Sequence, residues 1–275
     1  MTKVLVLGDV NVDIVAVQET SLAVDSDTPA SISLRGGGGG ANVAAWLARL
    51  GVETTLIGRV GADPLAEVAL SGLDGVRLEV VRDPVRVTGT CIVLVAPGGE
   101  RTMLPDPGAN DALAAEDLPP LEGDILHVSG YALMRPGSRL AAMTAIERAR
   151  EAGMRISIDP ASAAPLANDP IFLQRVAPVD LLLPNADEAE VLGPQIDAPE
   201  VVTKRGAGGA TWTDGAQTVT GPAVPVDDVV DTTGAGDAFA AGFLSAWLGG
   251  DVTAALAAGA RCAADAIARV GSRPA

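Results

Sequence analysis

The chain alternates short apolar runs with longer segments of helical spacing. Residues 4–7, 54–57, 125–129, 155–159, 181–183 and 201–203 are runs of strand length rich in Val, Ile and Leu. Such runs suit strands buried on both faces of a parallel sheet. Between and after them, residues 41–50, 64–70, 139–152, 186–192, 238–248 and 253–268 carry apolar or small residues at helical spacing. The alternation predicts an α/β fold whose mainly parallel sheet is covered on both faces, with ligands at the carboxyl ends of the strands. Four further strand patterns, at 12–17, 31–34, 91–95 and 101–104, break the rhythm, the last two joined by Pro-Gly-Gly. They predict a small sheet outside the main one, over segments 12–35 and 88–104. Residues 210–213 and 217–219 suit the two arms of a hairpin.

Composition narrows the class. The 275 residues suit one α/β domain with an appendage, and 48% hydrophobic against 20% charged residues indicates a globular chain. No apolar stretch approaches the ~18 residues of a membrane span, and the start, MTKVLVLGDV, enters a strand without a leader's cleavage region, so a cytoplasmic protein is expected. A net charge of −16 argues against nucleic acid or an anionic membrane as partner. It leaves room for ATP, whose phosphates can be held by backbone amides and Mg²⁺. Cys91 and Cys262 lack metal-ligand spacing and suit two buried thiols.

The chemistry concentrates in DTTGAGDAFAAGF, residues 231–243. Gly234 and Gly236 let the chain curl so that successive N–H groups point into one concavity before a helix, a place for an anion. Asp237 at that spot suits either a helix N-cap or a base that takes a proton from an attacking hydroxyl. Asp9, Asn11 and Asp13 follow the first strand with period two, which places them on one face of an extended segment or in a solvated turn. Asn185 and Glu188 form N-x-x-E, suited to a capping pair or to a hydrated Mg²⁺. Gly36, Gly38 and Ala41 also fit G-x-G-x-x-A, the fingerprint of a dinucleotide-dependent oxidoreductase, without the first-strand context that motif needs. His127, the single histidine, suits a satisfied core residue.

DTTGAGDAF resembles the C-terminal signature of the ribokinase-like, or pfkB, family of sugar and nucleoside kinases. GGGGGANVAAWLARLG, residues 36–51, resembles its N-terminal signature. The resemblance implies a ribokinase-like three-layer α/β fold with a mainly parallel central sheet and a small β-sheet lid over the sugar. It implies an ATP-dependent kinase in which Asp237 is the base and the backbone of Gly234, Ala235, Gly236 and Asp237 forms the anion hole. Asn11, Asp13, Gly38, Gly39 and Asn42 match positions that bind sugar hydroxyls, and Gly108 to Asn110 match a turn near the substrate or form a generic loop. Asn185 and Glu188 match residues that organise Mg²⁺ and the triphosphate, Glu188 through water. Thr203, Gly206 and Gly209 match the nucleotide side, and Gly259 stands where some members place an Asn near the adenine.

Asp231 and Thr233 match positions that hold K⁺ in potassium-activated members, with the remainder of that site near Ala266, Arg269 and Gly271. The short C-terminal tail is assigned no role. Many members carry Lys where this chain has Gly39, which favours an acceptor without a phosphate of its own. The implied reaction is phosphorylation of a primary hydroxyl on an unphosphorylated sugar, ribose-like or a keto-sugar. A nucleoside is the alternative acceptor, disfavoured by 3% aromatic residues and a lid segment without Phe, Tyr or Trp. An apolar lid face would pair two copies into a homodimer.

Overall fold

The computed structural model describes residues 2–98, 100–193, 196 and 198–274. In chain order the first half holds β1 (Lys3–Leu7), β2 (Asn11–Gln18), β3 (Ala30–Gly37), α1 (Gly39–Arg49), β4 (Glu53–Gly61), α2 (Leu65–Ala69), β5 (Val76–Asp83), β6 (Gly89–Val95) and β7 (Arg101–Asp106). The middle holds β8 (Ile125–Ser129), α3 (Gly130–Met134), α4 (Arg139–Glu151), β9 (Arg155–Asp159), α5 (Ala163–Leu166), α6 (Phe172–Val176), β10 (Leu181–Leu182) and α7 (Ala186–Leu192). The chain continues with β11 (Glu200–Lys204), β12 (Ala210–Thr213), β13 (Thr218–Gly221), α8 (Ala235–Trp247) and α9 (Val252–Ile267).

The main sheet has the order β13-β12-β11-β10-β9-β8-β1-β4-β5. From β5 to β11 every pairing is parallel, and β12 and β13 add an antiparallel hairpin at one edge. Side chains alternate across it, so β1 sends Val4 and Val6 into one core and Leu5 and Leu7 into another. The first core is closed by α1, α8 and α9, the second by α4 and α6. Helices therefore cover both faces, as the buried apolar runs predict.

β5 escapes the sequence pattern because it is an edge strand. It carries the charged Arg77, Glu79 and Arg82 and leaves even Leu78 42% exposed, so no buried apolar run marks it. The short helices α3, α5 and α6, four or five residues each, lie in segments for which the sequence pattern predicts no helix. Among the described residues no helix is long and apolar enough to cross a membrane.

The interrupting strands form a separate sheet, β3-β2-β6-β7, in which β2 and β6 run parallel and the outer pairings antiparallel. One face, including Asp13 and Cys91, looks toward a cavity above the main sheet. The other face carries Leu34, Ile14, Ile92 and Leu104 in one cross-strand row. Gly36 and Gly37 belong to β3 of this sheet and not to a turn after β1, which removes the dinucleotide-fingerprint context.

Two glycine contacts set helix positions. A Cβ on Gly40 would lie 2.6 Å from the Cα of Gly8, so the start of α1 butts against the carboxyl end of β1. A Cβ on Gly242 would lie 2.5 Å from the carbonyl oxygen of Ala258, so α8 and α9 cross with backbones nearly touching. Through these contacts both glycine-rich helix starts reach the same end of the sheet.

Candidate active site

A cavity of about 950 Å³ opens at the carboxyl ends of β1, β8, β9, β10 and β11, where Asp9, Ser129, Asp159, Asn185 and Lys204 stand. Gly234, Ala235, Gly236 and Asp237 line it from the start of α8. Gly234 adopts φ 75° as the N-cap, so α8 begins at Ala235, earlier than the apolar pattern suggests. Asp237 lies in the first turn and its side chain caps nothing. Its Oδ2 instead accepts a 2.8 Å hydrogen bond from Nδ2 of Asn42, at the start of α1. Burial, joined by the nearby Asp159 charge and opposed by the Asn42 bond and Lys204, pushes the Asp237 carboxyl up to about 7.

Lys204 and Asp159 form an ion pair in the cavity wall at 2.5 Å. Burial opposes the Lys204 charge, but Asp159 and Glu188 hold the ammonium above its ordinary pKa. A Cβ on Gly236 would come within 3.5 Å of its Nζ, so the cation sits beside the open turn of α8. A helix N-terminus, glycine backbone and an ammonium together suit phosphate oxygens.

Asn185 and Glu188 form a capping box at the start of α7. Glu188 N–H donates to Asn185 Oδ1 at 2.9 Å, Asn185 N–H to Glu188 Oε2 at 2.8 Å, and Asn185 Nδ2 to Glu188 Oε1 at 2.7 Å. Both side chains also line the cavity. Burial and then the Asp159 charge push Glu188 up to about 7. Among the described residues no three Asp, Glu, His or Cys side chains converge as a direct metal cage. Glu188 suits the outer contact of a hydrated cation that brings its own phosphate ligands.

At the other end Asn11, Asp13, Gly38, Gly39 and Asn42 line the cavity with Met103 and Pro105 of the small sheet. Asn110 accepts from Val10 N–H at 2.9 Å and donates Nδ2 to Asn11 Oδ1 at 2.7 Å, so the turn at Gly108 to Asn110 orients Asn11 without facing the cavity itself. Burial pushes Asp13 up to about 6, with the Arg273 guanidinium opposing the shift and Asp231 adding to it. Asp9 is engaged by Arg135 at 2.7 Å, whose guanidinium lies 5.0 Å over the Tyr131 ring. His127 is a buried neighbour of Ser157, 2.8 Å away, and burial lowers its pKa to about 4, so it is neutral. Gly206 and Gly209 line the cavity from the turn that also joins β11 to β12, so nucleotide-side and hairpin expectations coincide there.

Thr203, Gly259 and Asp231, expected at the site, stand outside the lining of this cavity. Thr203 does not line the cavity: alternation along β11 turns it away and brings in Lys204, the next residue. Lys204 was legible as one of the chain's two lysines standing at a strand end before a glycine turn. Gly259 does not reach the cavity either. It packs under Phe239, whose ring would be 2.9 Å from a Cβ, while Ala260, Ala263, Ala264 and Ile267 of α9 face the opening. Asp231 lines a separate cavity of about 240 Å³ and is ion-paired to Arg101 at 2.8 Å. The C-terminal tail has a role after all. Ser272 Oγ donates to Asn42 Oδ1 at 3.0 Å, and Arg273 Nη2 donates to Gly37 O at 2.7 Å. The tail thereby fixes which end of the Asn42 amide faces Asp237.

The chain belongs to a class of phosphoryl-transfer enzymes built on this two-sheet architecture. Residues 1–275 match the pfkB family of carbohydrate kinases, and the chain is a member of that family. It is 36% identical to an ATP-dependent ribose-1-phosphate kinase of Halopiger xanaduensis, over 100% of this chain and 95% of the relative. The adenosine kinase of Sinorhizobium meliloti superposes with a TM-score of 0.89 at 25% identity, covering 99% of this chain and 96% of that one. An E. coli chain assigned as a ribokinase II, in complex with ATP and Mg²⁺, superposes at 0.84 with 23% identity, covering 99% and 94%. The fold is thus ribokinase-like, a large mainly parallel sheet with a small second sheet.

The raised pKa of Asp237 has a thermodynamic consequence. The folded chain holds this proton more tightly than the unfolded chain, so its contribution is full below the ordinary value of 3.8 and is lost as pH rises through about 7. Asp237→Asn, which keeps shape and removes the charge, should raise the melting temperature near pH 8 by about 2–4 °C, the shift that ~1 kcal/mol gives in a chain of this size. The gap should narrow near pH ~5, where less of the unfavourable ionisation is demanded. Calorimetry of parent and variant at both pH values checks this; a variant less stable than the parent near pH 8 would contradict the buried-charge account.

Proposed function

We propose that the protein transfers the γ-phosphoryl group of ATP to a primary hydroxyl of an unphosphorylated sugar, ribose-like or a keto-sugar, in the cytoplasm. The observation that carries this reading is Asp237, a carboxyl group whose pKa burial raises to about 7, placed between the sugar-side Asn42 and the glycine turn of Gly234, Ala235 and Gly236 that opens α8. A base with a pKa near the working pH both accepts and releases a proton readily. Asp237 takes the hydroxyl proton as the oxygen attacks, while the α8 N-terminus and Lys204 stabilise charge on the transferred group. Glu188 with Asn185 would hold the hydration shell of the Mg²⁺ that accompanies ATP, an ion that would supply neutralisation of phosphate charge. The apolar wall of Val226, Val229, Ala264 and Ile267 receives the base, while Gly206 and Gly209 let the chain pass close to the nucleotide.

Asp13, Asn11, Gly38, Gly39 and Asn42 receive the sugar, under the small sheet acting as a lid. The cations at this end are already engaged: Arg135 by Asp9, and Arg273 by Gly37 O and Ser71 O. With Gly39 adding no charge, this supports an acceptor without its own phosphate, although the Halopiger relative is named for a sugar phosphate. One observation favours a nucleoside as the second reading, because Tyr131 offers an aromatic ring in the cavity wall.

ATP turnover against ribose, fructose, ribose 1-phosphate and adenosine tests the assignment, with a free sugar expected to give the highest kcat/KM. Asp13→Ala should then raise the sugar KM or lower kcat/KM by roughly ten-fold or more, the scale of one or two charge-assisted hydrogen bonds, and leave ATP binding unchanged. Turnover confined to the sugar phosphate or the nucleoside would contradict the acceptor class, and equal loss of ATP and sugar binding would make Asp13 structural.

The outer row of the small sheet, with Leu34, Ile92 and Leu104 at 50%, 40% and 52% exposure, supports a homodimer in which two lids meet. An apolar row of this kind is self-complementary across a two-fold axis. Light scattering should give a dimer for the parent and a monomer for Ile92→Glu combined with Leu34→Glu; a monomeric parent would contradict the arrangement.

A further inference from the structure

The loop leading into α8 is held by a cation that arrives from the other sheet. Arg101 opens β7 on the face of the small sheet that looks inward. Its Nη2 lies 2.8 Å from Asp231 Oδ1, and its Nη1 donates to Thr232 Oγ1 at 2.6 Å. The same Asp231 carboxylate accepts the N–H of Thr233 at 2.8 Å on Oδ1 and the N–H of Gly271 at 3.0 Å on Oδ2. Both side chains of the pair are largely covered, at 20% exposure for Arg101 and 11% for Asp231, so solvent screens them less than a surface pair. A second arginine stands beyond: a Cβ on Gly271 would lie 3.7 Å from Nη1 of Arg35.

A monovalent metal ion at Asp231 needs oxygen donors with free lone pairs facing it. Here the carboxylate is surrounded by N–H donors, one of them fully charged, and an added cation would meet Arg101 at close range and be repelled. The residues do not fit such an ion. We propose that Arg101 is itself the cation of this site, its guanidinium standing in for a monovalent metal beside the anion-binding loop, so that the protein works without K⁺. The side chain spans two hydrogen-bonding partners in one plane, which a guanidinium does and a spherical ion does not. It thereby fixes Asp231 and Thr232, the two residues that precede Thr233 and the Gly234 turn. What the loop does in catalysis rests on the kinase reading above; the replacement of the ion by Arg101 does not.

The test compares parent, Arg101→Met and Arg101→Lys in KCl and in choline chloride at equal ionic strength, by melting temperature without substrates and by steady-state turnover with ATP and the accepted sugar. The parent should turn over within about two-fold in both salts and melt at the same temperature in each. R101M should lose about ten-fold in kcat/KM in choline, the scale of one charge-assisted hydrogen bond. Potassium, or the Lys substitution, should recover part of that loss. A parent activated several-fold by K⁺ over choline, a folded R101M equal to the parent, or a loss that neither K⁺ nor Lys restores would overturn the proposal. If the parent phosphorylates no acceptor, the kinase reading fails separately, and melting still decides: R101M should gain a K⁺-specific stabilisation that the parent lacks, and its absence would overturn the assignment.

Discussion

Negative charge crowded around one ammonium is the constraint on which this structure depends. Asp159, Glu188 and Asp237 all stand near Lys204 at the carboxyl ends of parallel strands, and Glu188 and Asp237 are both pushed up to about 7. Burial first, and then the Asp159 charge, disfavours the ionised forms of Glu188 and Asp237, so the site is poised to receive protons or positive charge. Phosphoryl transfer to a hydroxyl brings both, a proton from the acceptor and a cation with the nucleotide. The fold secures this crowding with backbone contacts: Gly8 against Gly40 brings the start of α1 to the sheet, and Gly242 against Ala258 sets α8 on α9. Larger residues at either contact would move Asn42 away from Asp237.

Support for that pair extends to distant parts of the chain. Asn42 is fixed by Ser272 through its Oδ1, and the indole of Trp46 donates to Ser272 O at 3.0 Å. Asp231 joins the α8 loop to Gly271 and to Arg101 on the small sheet. The carboxyl-terminal residues thus contact both glycine-rich motifs, and the small sheet contacts the second of them. An acceptor closed between these parts would be shielded from water, the competing nucleophile in any kinase.

Much of this was legible because parallel-sheet proteins announce themselves by buried apolar runs, and because glycines before a helix have few other uses than close approach. The two signatures, around Asn42 and Asp237, both line the cavity. The sequence said less where the answer depends on which way a side chain turns. Thr203 and Lys204 are adjacent on one strand, and only register decides that Lys204 faces the cavity. Gly259 matched a position but lies one residue off the face that Ala260 and Ala263 present. Arg101, Ser272 and Arg273 act across sequence distances of 131 to 236 residues, which no local pattern encodes. The edge strand β5 was hidden by its own solvent-facing charges.

The central claim is that Asp237 removes the acceptor's proton, and steady-state kinetics of Asp237→Asn with ATP·Mg²⁺ and the accepted sugar test it most directly. The variant keeps an oxygen for Asn42 and leaves the Gly234 to Gly236 backbone intact, so nucleotide binding should survive. Its kcat should fall by about 10² to 10⁴, the range a positioned general base supplies. A folded variant that binds ATP and keeps kcat within a few-fold of the parent would contradict the account.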